Sequence, residues 1–267
     1  MNRFLKILII TLLAAAGLTF CVRAAIRIVD NAGVFALNMA DFHTSHKDNG
    51  SSNVITHNLG ELRFNAIEAA TAAKVTVRSA DDPNRDVILR VSENLAEKVE
   101  LKVRNGILKI GLKNDCHSFK KPNKVIFEVS VPHCDGLSSL EAAAAAEINV
   151  TSPLTAPKIK VEASGAAKIT ATLDCTECEA EAAGASKIVM TGRCRKLEAD
   201  ASGASKIDAD GCESINCAAE ASGASKVSVW CTEVLDAEAS GASRVEYKGE
   251  CRVDRDASGA SKITRII

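Results

Sequence analysis

The sequence predicts an all-β fold: a parallel single-stranded β-helix over residues 137–267, packed against a second β-rich part over 61–136 whose own coiling is left open. Three observations predict it. First, one phrase recurs six times: EASGAAKI from 162, EAAGASKI from 181, DASGASKI from 200, EASGASKV from 220, EASGASRV from 238 and DASGASKI from 256. Second, its glycines, Gly165, Gly184, Gly203, Gly223, Gly241 and Gly259, stand 19, 19, 20, 18 and 18 residues apart. A fixed period of this size marks a solenoid. Third, the residues between alternate. In LEADAS (197–202) Leu197, Ala199 and Ala201 face one way, and Glu198, Asp200 and Ser202 the other. That period of two marks a half-buried strand. Helical solenoid repeats need about 30 residues or more, so coils this short are built from strands.

In chain order, residues 1–24 read as an export signal. Arg3 and Lys6 precede the apolar run ILIITLLAAAGLTF (7–20), and VRAA (22–25) offers small residues for a cut after Ala24. Lipid anchoring at Cys21 is the secondary reading, because Phe20 stands where a lipid-attachment motif has a small residue. The apolar run is short for a membrane span. The expected location is therefore exported: periplasm, outer-membrane surface or extracellular space. Residues 25–60 read as a polar linker or arm, on the strength of DFHTSHKDNGSSN (41–53). His43 and His46 lack a third ligand there and read as exposed loop histidines.

From Glu61 the chain reads as strands: LRFNAI (62–67), AKVTVRS (73–79), DVILRVS (86–92), KVELKVRNG (98–106), ILKIGLK (107–113) and KVIFEVSVP (124–132). DDPN (81–84) and KKPN (120–123) separate strands, and Asn105-Gly106 marks a hairpin turn. Cys116 and Cys134 flank the last strand and are the best candidates for a disulfide, with two free thiols as the close alternative.

The repeat then assigns each letter. The glycine serves a corner that demands positive φ or close approach. The alanine after each acid, and Ile169, Ile188, Ile207, Val227, Val245 and Ile263 after the corner, point inward. EAAAAAEI (141–148) fits the frame as a degenerate first coil, with Ala144 in the glycine column. Glu162, Glu181, Asp200, Glu220, Glu238 and Asp256 form an acidic ladder; Lys168, Lys187, Lys206, Lys226, Arg244 and Lys262 form a cationic one. Each ladder repels itself. Flanking one corner, the two are expected to offset each other, at ~0–1 kcal/mol for each exposed pair.

Nine cysteines follow the leader: 116, 134, 175, 178, 194, 212, 217, 231 and 251. Cys178 and Cys217 share an inward column with Leu197, Leu235 and Val253. Buried free thiols behave as small hydrophobes, so a core thiol ladder is expected. Disulfides between adjacent coils are also geometrically allowed. CTEC (175–178) has no second pair at matching spacing and is a weak metal signal.

These features together resemble the secreted bacterial family described as "putative auto-transporter adhesin, head GIN domain". The likeness spans Phe64 to Ile267. It rests on F-x-x-I (64–67), SENLAEKVELKVRNGILKIGLK (92–113), the strand ending in Val131-Pro132 and the serial S-G-A-S phrases. The resemblance implies an all-β fold with a β-helix-like C-terminal part. It brings no catalytic residues with it.

Composition narrows the function. A formal net charge of −1 carries no basic excess, so nucleic acid is not an expected partner. The acids obey the repeat instead of breaking it, and no histidine lies beyond His133, so no catalytic constellation is expected. The expected protein is a non-enzymatic exported cell-envelope or surface protein, an adhesin-like or scaffold module, without a cofactor or metal. The alternative is a carbohydrate-binding module, or a polysaccharide-acting β-helix of the envelope, with Trp230 and Tyr247 as the only aromatics of the repeats. The expected contact is self-association, or an envelope or host-surface component, through the C-terminal coil, whose edge presents unpaired backbone groups.

Overall fold

Alternation of period two and a glycine every 18–20 residues dictate how this chain coils. The structure, a computed structural model, describes residues 25–30, 33–38, 44–47, 53–113 and 125–266. The export signal with Cys21, the side chains of His43 and His46, and Cys116 lie outside the described residues.

Strands β13 (Leu154–Ala163), β14 (Lys168–Ala182), β15 (Lys187–Ala201), β16 (Lys206–Ala221) and β17 (Lys226–Ala239) stack in parallel. The shorter β18 (Arg244–Lys248), β19 (Arg252–Ala257) and β20 (Lys262–Arg265) complete the stack. Register sets Glu162, Glu181, Asp200, Glu220, Glu238 and Asp256 side by side. It does the same for Lys168, Lys187, Lys206, Lys226, Arg244 and Lys262. The core between them is narrow. Ala163, Ala182, Ala201, Ala221 and Ala239 are buried on one side of the corner, and Ile169, Ile188, Ile207, Val227 and Val245 on the other.

The corner glycines combine two demands. Their φ lies between +72° and +77°, where a side chain is strained. They also abut the coil before: a Cβ on Gly203 would stand 2.9 Å from the Gly184 carbonyl oxygen. Ala144 occupies this column at φ +60°, which confirms EAAAAAEI as a coil. The column continues one coil further. EAATAAKV (68–75) repeats the same frame, with Thr71 at φ +66° in the glycine position. Here β5 (Ala66–Ala69) and β6 (Lys74–Val77) pair in parallel with β11 (Ser139–Ala142) and β12 (Glu147–Val150). The solenoid therefore enters the N-terminal part directly, and Glu68 and Glu141 extend the acidic column.

Between these two coils the chain leaves the repeat. It forms β7 (Asp86–Ser92), the short helix α1 (Glu93–Ala96), β8 (Val99–Arg104), β9 (Ile107–Leu112) and β10 (Phe127–Val131). β8 and β9 are a hairpin with Asn105 at φ +54° and Gly106 at φ +76°, the pair of left-handed residues that a type I′ turn requires. β9 continues the parallel stack beside β5, and β10 does so beside β6. The region read as a polar arm contains β1 (Ala25–Asp30), β2 (Gly33–Asn38), β3 (Thr44–Lys47) and β4 (Asn53–Glu61). Residues 53–61 are a strand instead of a linker. Val54 and Leu59 are buried, and β4 pairs antiparallel with β7.

Candidate functional site

The acidic column opens into the first of two grooves. It runs along the corner for about 630 Å³, lined by the carboxylates of Glu141, Glu162, Glu181, Asp200, Glu220, Glu238 and Asp256, with serine and alanine between them. Parallel strands set neighbouring carboxylates roughly 4.8 Å apart. Repulsion at that spacing, added to partial burial, disfavours the charged forms. Burial first, then the charges of Glu220, Glu198 and Glu181, raise the Asp200 carboxyl to about 6. Glu141 is likewise raised, by burial and then by Glu68 and Glu162.

The expected offset across the corner is not how the cations are used. Lys168 pairs with Glu147 at 3.0 Å, Lys206 with Asp208 at 2.5 Å, and Lys226 with Glu246 at 2.7 Å. Residues two apart on a strand share a face, so these cations find acids on their own strand or on an adjacent one, while Lys187 and Lys262 have no ion-pair partner among the described residues. At the other side of the corner, Lys160 stands 3.0 Å from Glu162 and 3.5 Å from Glu181, and Lys109 contacts Glu68. Asp200, Glu220, Glu238 and Asp256 have no ion-pair partner among the described residues.

The last serine of the phrase has a role that its letters do not disclose. Ser186, Ser205, Ser225 and Ser243 are buried, and each hydroxyl donates to the carbonyl of an inward alanine one coil earlier. The bonds measure 2.9 Å to Ala163, 2.9 Å to Ala182, 2.9 Å to Ala201 and 2.8 Å to Ala221. They tie the floor of the acidic groove from coil to coil.

The second groove lies where each long strand bends, opposite the glycine corner in sequence. It encloses about 750 Å³, lined by Thr155, Pro157, Asp174, Cys175, Arg193, Cys194, Arg195 and Glu213 among others. The unequal coil lengths are absorbed here. Register shifts fall between Val189 and Thr191, and again between Ala209 and Glu213, while the corner columns stay aligned. One column runs Ala156, Cys175, Cys194, Ser214, Cys231, and a second runs Ile159, Cys178, Leu197, Cys217, Leu235, Val253. The thiol ladder is thus broken by Ser214, and Cys212 stands beside Gly192 in another column. All eight described cysteines are free, Cys134 included. Among the described residues, no group of three or more His, Cys, Asp or Glu is arranged to hold a metal ion.

The two repeat aromatics do not form an open stacking patch. Tyr247 is buried, and the Lys248 ammonium lies 4.5 Å from the centre of the Trp230 ring. A cation over that face occupies the surface a sugar would stack on.

Comparison with known proteins bears on the whole fold. The family model described as "putative auto-transporter adhesin, head GIN domain" matches residues 63–251. A crystal structure of a "putative adhesin" from Bacteroides fragilis NCTC 9343 superposes with a TM-score of 0.69 at 19% identity, covering 80% of this chain and 97% of that one. A "putative adhesin" from Parabacteroides merdae ATCC 43184 gives 0.60 at 19% identity, with 82% and 98% covered. A "putative lipid binding protein" from Parabacteroides distasonis ATCC 8503 gives 0.62 at 16% identity, with 82% and 98% covered. No curated protein matches the chain.

Proposed function

The chain belongs to the family described as "putative auto-transporter adhesin, head GIN domain", and from that membership we propose that it is a non-enzymatic, exported protein of the cell envelope or surface that works by contact along its acidic groove. Family and structural neighbours support an adhesin-like surface module. The observation that carries the groove assignment is the row from Glu141 to Asp256, whose last four members lack ion-pair partners among the described residues. Catalysis by carboxylates uses a pair held apart in environment, one protonated and one ionised. Here each coil offers the same group at the same spacing, which suits a repetitive or extended cationic partner. The alternative, carbohydrate stacking on Trp230 and Tyr247, is disfavoured by the burial of Tyr247 and the Lys248 cover on Trp230. Self-association, or binding of an envelope or host-surface component through the last coil, is part of the same proposal, since Ala257 and Ala260 there are exposed.

Protease shaving of intact cells tests the location: digestion of the protein supports surface display, and protection together with normal adhesion of a deletion strain overturns it. A triple variant Glu181→Gln, Asp200→Asn, Glu220→Gln tests the groove. The expected result is loss of attachment with the melting temperature maintained or raised.

A further inference from the structure

The second groove holds a chemical grouping that the adhesin reading does not use. Cys175 and Cys194 are register partners on β14 and β15, so their backbones stand one strand spacing apart, roughly 4.8 Å. A disulfide spans Cα separations of about 4.4–6.8 Å. Both residues line the same groove, Cys175 half-buried and Cys194 buried. The register sets the two residues side by side on one wall of that groove. The other described cysteines do not line this groove. Cys178 belongs to the inward column, with its sulfur 3.8 Å from the Met190 sulfur. Cys212 is fully buried in the column of Gly192. Cys231 donates to the Val234 carbonyl at 3.0 Å and is also fully buried.

We propose that Cys175 and Cys194 form a dithiol–disulfide couple that opens onto the second groove and is oxidised by a small disulfide-bearing molecule. The outer thiol, Cys175, attacks. S–H donation from Cys178 and Cys194 favours its thiolate and holds it below the ordinary thiol value. Cys194 resolves, and contact with Cys175 and Cys212 together with burial keeps it protonated until then. In the first step the Cys175 thiolate displaces one thiolate from R–S–S–R, forming Cys175–S–S–R and releasing R–S⁻, which takes up the proton that Cys175 lost. In the second, Cys194 gives up its proton and attacks the Cys175 sulfur. The Cys175–S–S–R bond breaks, the Cys175–Cys194 bond forms, and the second R–S⁻ leaves and is protonated. Two electrons pass from the two cysteines to the oxidant, which becomes two R–SH. The product ties β14 to β15, one coil before the register slips between β15 and β16, on the side away from the serine-bonded corner.

Serine is already native to this column at Ser214, so serine variants suit the coil. The test uses the reduced full chain, exposed to glutathione disulfide, then acid-quenched and read by intact mass and peptide mapping. Wild type is expected to lose the mass of two hydrogens and to yield a Cys175–Cys194 link. Cys194→Ser is expected to stop at a glutathione adduct on Cys175. Cys175→Ser is expected to abolish rapid uptake, and Cys178→Ala to yield the same Cys175–Cys194 link more slowly, since its S–H donation to Cys175 is lost. A Cys175–Cys178 link, a persistent adduct on wild-type Cys175, first reaction at another cysteine, or no reaction under native conditions overturns the proposal. Circular dichroism of each variant confirms that it is folded.

Discussion

Replacing Gly203 by alanine tests the corner most directly. Two costs add. Holding alanine at φ +76° costs about 1–2 kcal/mol. The new Cβ would also meet the Gly184 oxygen at 2.9 Å, a backbone atom that already accepts a 2.7 Å hydrogen bond from the Ala204 amide. Displacing that oxygen forfeits part of a bond whose net contribution is about 0.5–1.5 kcal/mol. Against this, alanine restricts the unfolded chain and recovers about 0.4–1 kcal/mol. The expected net loss is about 0.5–3 kcal/mol, a fall of roughly 1–12 °C in melting midpoint for a domain of this size. The converse change, Ala144→Gly, relieves the same left-handed strain at a position whose backbone already follows the corner. There the gain of about 1–2 kcal/mol is reduced by the glycine's extra unfolded-state freedom, leaving neutral to about 1.5 kcal/mol stabilising. Far-UV circular dichroism melts of both variants with wild type make a matched set. An unchanged midpoint for Gly203→Ala, or a clear loss for Ala144→Gly, would refute the assignment of this column to a strained corner.

Two further outcomes follow from the groove. The Asp200 carboxyl is raised from 3.8 to about 6 by folding, so the folded chain holds this proton more tightly than the unfolded one. Its favourable effect is present below about pH 4 and is lost as pH rises through about 6, so Asp200→Asn should melt above wild type at pH 7.5 and close to it at pH 4; equal shifts at both values would exclude the ladder as the cause. Ser205→Ala should cost about 0.5–1.5 kcal/mol by removing the bond to Ala182, and Ala167→Ser, which restores the serine missing from its coil, should gain a similar amount in urea titration. A stabilised Ser205→Ala would show that the column is not cohesive.

Much of this architecture can be read from the letters, because a corner that stacks on itself must repeat its chemistry. The glycine, the inward alanine and the β-branched residue after the lysine each answer a backbone or packing demand at one point of the coil. The degenerate coil at 141–148 is recoverable for the same reason, although its alanines alone suggest helix. EAATAAKV at 68–75 carries the same frame and escapes notice for a physical reason. Thr71 stands in the glycine column, and the excursion through β7 to β10 separates the copy from the regular period. The second groove is harder to read, since unequal coil lengths are accommodated there and spacing from the glycine no longer tracks spatial column. Cys194 and Cys212 lie ten and nine residues after their glycines yet occupy different columns. Ion pairing also escaped the letters: proximity in the phrase suggests that acid and lysine meet across the corner, while the strand pleat turns them to different neighbours.

The asymmetry between the two charged columns bears on function. In the cationic column repulsion is relieved at several points, since Glu147 interrupts it and Asp208 and Glu246 pair with its members. In the acidic column eight carboxylates run without interruption from Glu68 to Asp256. Like charges directly opposite on paired strands are destabilising, and threonine or serine at the same positions would give cross-strand hydrogen bonds instead. The fold holds that row nonetheless, through the serine bonds and the alanine core beneath it. A row that opposes folding and lines a groove is better explained by what it meets than by what it supports, which is why the proposed contact surface is the acidic corner and not the cationic edge.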